Sequence, residues 1–116
     1  MTRDWTQETD TADKINQLAN KIEVWADSKG WWEKDRNDGE LIALMHSELS
    51  EALEAYRHGN PPDDKIPEFS GTTAELADCI IRILDYSAAR GLDIGGAIIA
   101  KMAYNETRPY KHGKKC

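Results

Sequence analysis

Residues 43–57, "ALMHSELSEALEAYR", constrain this chain most. At about 100° per residue from Leu41, the side chains of Leu44, Met45, Leu49, Ala52 and Tyr56 share one broad helical face. Glu48 falls inside that face, between Leu44 and Ala52. Glu51 lies at its edge, and Glu54 points away. A carboxylate on an apolar face is costly unless its charge is compensated; otherwise its pKa rises and it takes up a proton. Two acids one turn apart sharpen the problem. A divalent cation between them resolves it, and Mg²⁺, which takes oxygen ligands from a few carboxylates plus substrate phosphates, suits the donors.

A second acidic pair, Glu75 and Asp78, lies in "TAELADCIIRILDY". Its spacing of three puts both acids on neighbouring positions of one helix face. Leu76, Ile80, Ile83 and Leu84 define the apolar side; Glu75, Asp78, Arg82 and Asp85 form the polar stripe opposite. Thr72-x-x-Glu75 also fits a capping box. Alone, this pair reads as surface. With the first pair it says more: 23 residues separate Glu51 from Glu75. A loop of that reach can fold the second helix back on the first and bring four carboxylates together inside a bundle.

Four segments carry helical periodicity, and no strand pattern or repeat is visible. The first covers about residues 11–28, with Ile15, Leu18, Ile22 and Trp25 as its apolar stripe, Asp10 or Thr11 as cap and Gly30 after its end. The second covers about 39–58, and the third about 73–90 with Gly91 as stop. The fourth runs from Asp93 as cap to about 107, before Arg108-Pro109. Gly95 and Gly96 either precede that last helix or permit a close backbone approach. The expected fold is all-α: one domain over residues 1–116, a four-helix bundle-like subunit, with 1–9 and 109–116 as flexible ends.

The net charge of −6 argues against nucleic-acid polymers as partners. No apolar run is long enough to span a membrane, and the N-terminus lacks a leader pattern. Cys79 and Cys116 read as free thiols, which suits a cytoplasmic protein. Cys79 suits the core better than a nucleophile's role, and His46 suits packing or the surface. The basic tail, with Arg108, Lys111, His112, Lys114 and Lys115, reads on charge alone as a solvated terminus.

The sequence resembles the all-α nucleoside triphosphate pyrophosphohydrolases, specifically the MazG-like group. That family carries E-x-x-E, a spacer and E-x-x-D, matched by Glu48-x-x-Glu51 and Glu75-x-x-Asp78. The likeness covers about residues 10–114. It implies that a nucleoside triphosphate is split to the monophosphate and pyrophosphate. It also implies Glu48, Glu51, Glu75 and Asp78 as ligands of Mg²⁺, with Mn²⁺ as substitute, and one of them helping to deprotonate the water. Lys101, Asn105 and Arg108 match the family's last-helix pattern and would meet phosphate or sugar, with Lys111, His112 and Lys114 in the same role less firmly. Trp32 would stack on the base. Assembly as a homodimer or homotetramer (a dimer of dimers) is expected, with the pocket completed across the interface. Clearing unwanted nucleotides from the (d)NTP pool would be the purpose. Two other readings share these residues: a different all-α pyrophosphohydrolase such as a dUTPase, and a helical interaction module whose acids meet a basic partner.

Overall fold

The computed structural model describes residues 3–110. The described chain is all-helical, with four α-helices: α1 (Thr9–Ser28), α2 (Asp38–Arg57), α3 (Gly71–Ala89) and α4 (Ile94–Glu106). Within the stretch expected to be flexible, Trp5–Gln7 forms a 3-10 turn, and Trp5 Nε1 donates to Glu106 Oε1 at 3.1 Å. No described helix is long and apolar enough to cross a membrane.

Three of the helices stop in the same way. Gly30, Gly59 and Gly91 follow α1, α2 and α3 at positive φ. In each case the next residue's N–H returns to the carbonyl five back: Trp31 to Ala26, Asn60 to Ala55, Leu92 to Ser87. This is the Schellman closure, which glycine enters without Cβ strain. The starts differ from expectation at two places. α1 begins at Thr9 with Glu8 as its cap residue, and Thr11 Oγ1 donates back to Glu8 Oε1 at 2.9 Å. α3 begins earlier than the capping box implies: Ser70 accepts from Thr73 N, and Thr72 Oγ1 is buried with no partner among the described residues. Thr72 is therefore not the cap, and Glu75 is free for other contacts.

Helix α3 is the hub. It packs against α2 on one side and α1 on the other, and α4 packs on α1 and the N-terminal turn. The closest approach is at the start of α4. A Cβ on Gly95 would overlap the Ala12 carbonyl, and Asn16 bridges the crossing by accepting from Gly95 N and donating to Asp93. Gly95 thus lies inside the helix and permits close packing.

The core is thin. Buried apolar residues are Ala19, Ala26, Leu41, Ala52, Ala74, Cys79, Leu84 and Ile99, half of them alanine. On α1 the inward face runs through Ala19 and Ala26, with Ile15 and Ile22 half-buried, whereas Leu18 and Trp25 are about half exposed. On α2 the broad apolar face divides. Leu41 and Ala52 turn inward, while Leu49 at 48% and Tyr56 at 70% exposure stand in solvent beside Ile42 and Leu53. Leu76 and Ile80 of α3 are exposed as well. The radius of gyration is 16.8 Å. A compact chain of this length would have about 13 Å.

Candidate functional site

The facing of α2 and α3 brings three acids together. Glu48, Glu75 and Asp78 each offer a carboxylate oxygen, and these oxygens lie within 4.8 Å of one another. Glu48 and Glu75 are half-buried; Asp78 is more exposed. Glu51, one turn beyond Glu48, is exposed and stands outside this trio, yet near enough for its charge to be felt at Glu75.

The electrostatics follow from like charges in partial burial. Loss of solvation pushes the Glu75 carboxyl up to about 6, helped by hydrogen bonding with Glu48 and by the charges of Asp78, Glu48 and Glu51. Asp78 also moves up, through lost solvation and then Glu48, while Arg82 and Lys65 pull it back. Arg82 is the compensating cation within the chain: its Nε donates to Glu48 Oε1 at 2.9 Å, and the Glu48 side chain is only 13% exposed. Glu48, Glu75 and Asp78 are the residues of this cluster that could hold a hard, oxygen-preferring cation.

Two hollows adjoin the trio. One, of about 250 Å³, is lined by Glu48 and Asp78 together with Trp25, Trp31, Arg36, Arg82 and Asp85. The other, of about 230 Å³, is lined by Glu51 and Glu75 and by the α2–α3 loop. That loop is tied down rather than loose. Gly71 N donates to the Pro61 carbonyl, Asp63 N donates to the Phe69 carbonyl, and Thr72 N donates to Asn60 Oδ1. The Asp63 carboxylate accepts from the backbone N–H groups of Ile66 and Lys65, which holds its pKa below the usual carboxylate value.

The wall of the larger hollow is held by the C-terminal half of α3. Trp32 Nε1 donates to Asp85 Oδ1 at 2.9 Å. Arg90 pairs with Asp38 at 2.7 Å and donates through Nη2 to the Arg36 carbonyl. The guanidinium groups of Arg36 and Arg90 lie 5.3 and 5.6 Å from the Trp32 ring. Trp32 is thereby packed into the wall, and it is Trp31, 54% exposed, that lines the hollow.

No family model, curated protein or solved structure matches this chain. The site is therefore read from its own residues.

Of the residues expected from the sequence, the chain unites Glu48, Glu75 and Asp78, with Glu51 alongside. Lys101 and Asn105 sit on α4, which packs on α1, Arg108 follows just after its C-terminal cap, and none of the three lines either hollow. Lys101 and Arg108 instead lie near the Tyr104 ring, and Asn105 lies against Met102. Lys111, His112 and Lys114 are outside the described residues. Cys79 is a core residue, buried, with its thiol against the Met45 carbonyl. Sequence reasoning did not single out Arg82, Asp85 and Arg36. The first two were visible in principle: 75, 78, 82 and 85 form one continuous stripe at spacings of three and four, so a site at its start extends along it. Arg36 is brought in by a loop, and no periodicity announces it.

Proposed function

We propose that this chain is a Mg²⁺-dependent nucleoside triphosphate pyrophosphohydrolase of the MazG-like kind, acting on (d)NTPs. The observation that carries the reading is the meeting of Glu48, Glu75 and Asp78 from two helices within 4.8 Å. An interaction module using its acids to meet a basic partner would keep them in solvent. Here two of the three are half-buried, and one is raised to about 6.

Glu48, Glu75 and Asp78 would hold the ion, with Glu51 joining after a change of side-chain rotamer. When bound, a divalent ion neutralises phosphate charge and lowers the pKa of a coordinated water. The chain's own residues do the rest. Arg82 keeps one oxygen of Glu48 engaged and so fixes the orientation of that carboxylate. A carboxylate of the cluster that stays off the ion would be suited to accept a proton from the attacking water. The hollow beside Asp78 gives the nucleotide a place next to the acids.

Self-association belongs to the same reading. The thin core, the extended radius and the outward stripe of Ile42, Leu49, Leu53 and Tyr56 support a homodimer or a dimer of dimers. A second subunit also offers a route for Lys101, Asn105 and Arg108 to reach phosphates, since within one chain they line neither hollow.

The test combines metal binding with turnover. Mg²⁺ should raise the melting temperature of the wild type and leave a Glu48→Gln, Asp78→Asn double variant unmoved. Pyrophosphate should be released from at least one triphosphate, and a screen of dNTPs, dUTP and nucleoside diphosphates separates this activity from that of a dUTPase. No metal response together with no pyrophosphate release would end the proposal.

A further inference from the structure

Arg82 has more donors than Glu48 can use. Its Nε donates to Glu48 Oε1 at 2.9 Å, and Glu48 is its only hydrogen-bond or ion-pair partner among the described residues. A guanidinium carries five N–H donors and a carboxylate takes at most two of them side by side, so the others have no partner in the described chain. The side chain is 35% exposed and lines the larger hollow together with Glu48 and Asp78. Building on the pyrophosphohydrolase reading, we propose that Arg82 is a substrate-binding residue: Nε holds Glu48 in place while the remaining N–H groups grip phosphate oxygens of the nucleotide.

Covalent geometry ties the unused donors to the acids. C–N bonds of about 1.33 Å put each terminal nitrogen about 2.3 Å from Nε, hence within about 5 Å of the Glu48 oxygen. Glu48, Glu75 and Asp78 in turn offer oxygens within 4.8 Å of one another. A phosphate beside this trio comes within reach of the guanidinium. The charge of Arg82 is also felt at Asp78, whose carboxyl it draws down. Two cations line the larger hollow, Arg36 and Arg82, and only Arg82 has a contact that fixes it to the acids. Lys101 and Arg108 line neither hollow. A triphosphate brings further negative charge to a cluster that is already acidic, and a planar fork of donors matches phosphate oxygens better than a point charge does.

Compensation of Glu48 alone predicts a different pattern. Were that the whole role of Arg82, Arg82→Gln would free a carboxylate for the metal. Mg²⁺ would bind as well or better, and oligophosphate binding at saturating Mg²⁺ would not fall. With Arg82 on the phosphates the two affinities part: Mg²⁺ is held as well or better, and oligophosphate more weakly. Arg82→Lys separates charge from fork. A lysine keeps a positive charge for Glu48 but lacks the rigid fork that spans a carboxylate and a phosphate together.

The experiment is calorimetric titration of wild type, Arg82→Gln and Arg82→Lys, first with Mg²⁺ alone and then with inorganic tripolyphosphate at saturating Mg²⁺. Tripolyphosphate should bind the wild type, and Arg82→Gln should bind it about tenfold more weakly, in keeping with one hydrogen bond between charged groups lost. Arg82→Lys should show a smaller loss at a melting temperature close to that of the wild type, and it decides the matter alone if Arg82→Gln does not fold. No binding by the wild type, or equal affinity in the wild type and every variant that folds, overturns the proposal. So does a loss matched by an equal loss of Mg²⁺ affinity, the mark of a disturbed metal site. Pyrophosphate release from dNTPs is measured alongside. Turnover by the wild type with tripolyphosphate affinity unchanged in the variants removes Arg82 from the phosphates and leaves the pyrophosphohydrolase reading standing. Weakened tripolyphosphate binding in the variants without turnover of any triphosphate does the reverse.

Discussion

Arg82 reaches from α3 to α2 and donates from Nε to Glu48 Oε1 at 2.9 Å, so the acid that breaks the apolar pattern of α2 is partnered by the helix it faces. The stripe that carries Glu75 and Asp78 also carries the guanidinium that compensates Glu48. One net positive charge against three clustered acids leaves the site negative, and that residue of charge is what a divalent ion would neutralise. The arrangement makes Arg82 a stabiliser of the metal-free protein.

Replacing Arg82 by Gln should therefore destabilise the metal-free protein by about 1 kcal/mol. The estimate is low because the Arg82 side chain remains 35% exposed and solvent screens the pair. The melting temperature should fall by a few degrees, about 4 °C. Saturating Mg²⁺ should shrink the gap, since the ion takes over the compensation that Arg82 provides. Thermal melts of wild type and Arg82→Gln, with and without Mg²⁺ at equal protein concentration, check this. A gap that is unchanged or wider in Mg²⁺ would contradict it.

Glu75 gives the metal-free protein an unusual pH dependence. Its carboxyl is raised from 4.5 to about 6 on folding, so between these values the folded state holds more protons than the unfolded one. Its contribution to stability is fully present below about pH 4.5 and is lost as pH rises through about 6. Asp78 acts in the same direction. Asp63 and Asp93 are lowered from 3.8 by hydrogen bonds to backbone N–H groups and, at Asp93, first to Asn16. Their effect is opposite in sign and falls below that window. Urea midpoints should decline from about pH 4.5 to about pH 6.5 without metal, and the decline should flatten in Glu75→Gln. With Mg²⁺ the added stabilisation should instead grow over the same range, because a deprotonated ligand binds better. A metal-free midpoint that climbs through this window, in wild type and Glu75→Gln alike, would refute the assignment.

How much of this was readable beforehand differs by element. All four helices follow from periodicity, and three of their ends from glycine stops, because Gly30, Gly59 and Gly91 mark ends that few other residues could make. Glu48 stood out because an acid on an apolar face has few explanations. The apolar stripes were less reliable guides. Leu18 and Trp25 share spacing with Ile15 and Ile22, yet the inward side of α1 is built on Ala19 and Ala26, which hydrophobicity ranks low and close helix packing favours. Leu49 and Tyr56 belong to the α2 pattern but not to the core of this chain. A single sequence does not separate a face that meets its own chain from one left outward. Arg36 and the packing of Trp32 against Asp85 depend on a loop held by Arg90, a tertiary relationship with no local sign.

The outward stripe on α2 supplies a test of assembly. Ile42, Leu49, Leu53 and Tyr56 recur at spacings of seven, four and three, and each is at least 43% exposed. A row of this kind on a stable protein is suited to burial against another copy. Sedimentation should find wild type as a dimer or larger. The Leu49→Lys, Leu53→Lys double variant should move toward monomer at the same concentration with its helical circular dichroism retained. A wild type that stays monomeric through the micromolar range would exclude assembly through this face.

The crossing of α1 and α4 allows a contrast between adjacent glycines. A methyl at Gly95 would strike the Ala12 carbonyl, which is backbone and fixed within α1. The helices would have to separate, loosening the Asn16 bridge to Asp93 and to Gly95 N. Gly95→Ala should lower stability by about 2 kcal/mol, as overpacking does where neighbours cannot yield. The atoms nearest to a methyl at Gly96 belong to the Asp93 carboxylate, a side chain that can turn aside at the expense of the helix cap. Losing the cap costs about 1 kcal/mol, and alanine's better helix propensity returns a similar amount, so Gly96→Ala should be near neutral. Denaturant titrations of both variants at one protein concentration measure the difference. Equal stability of the two would mean that α4 does not approach α1 as closely as the Gly95 crossing requires.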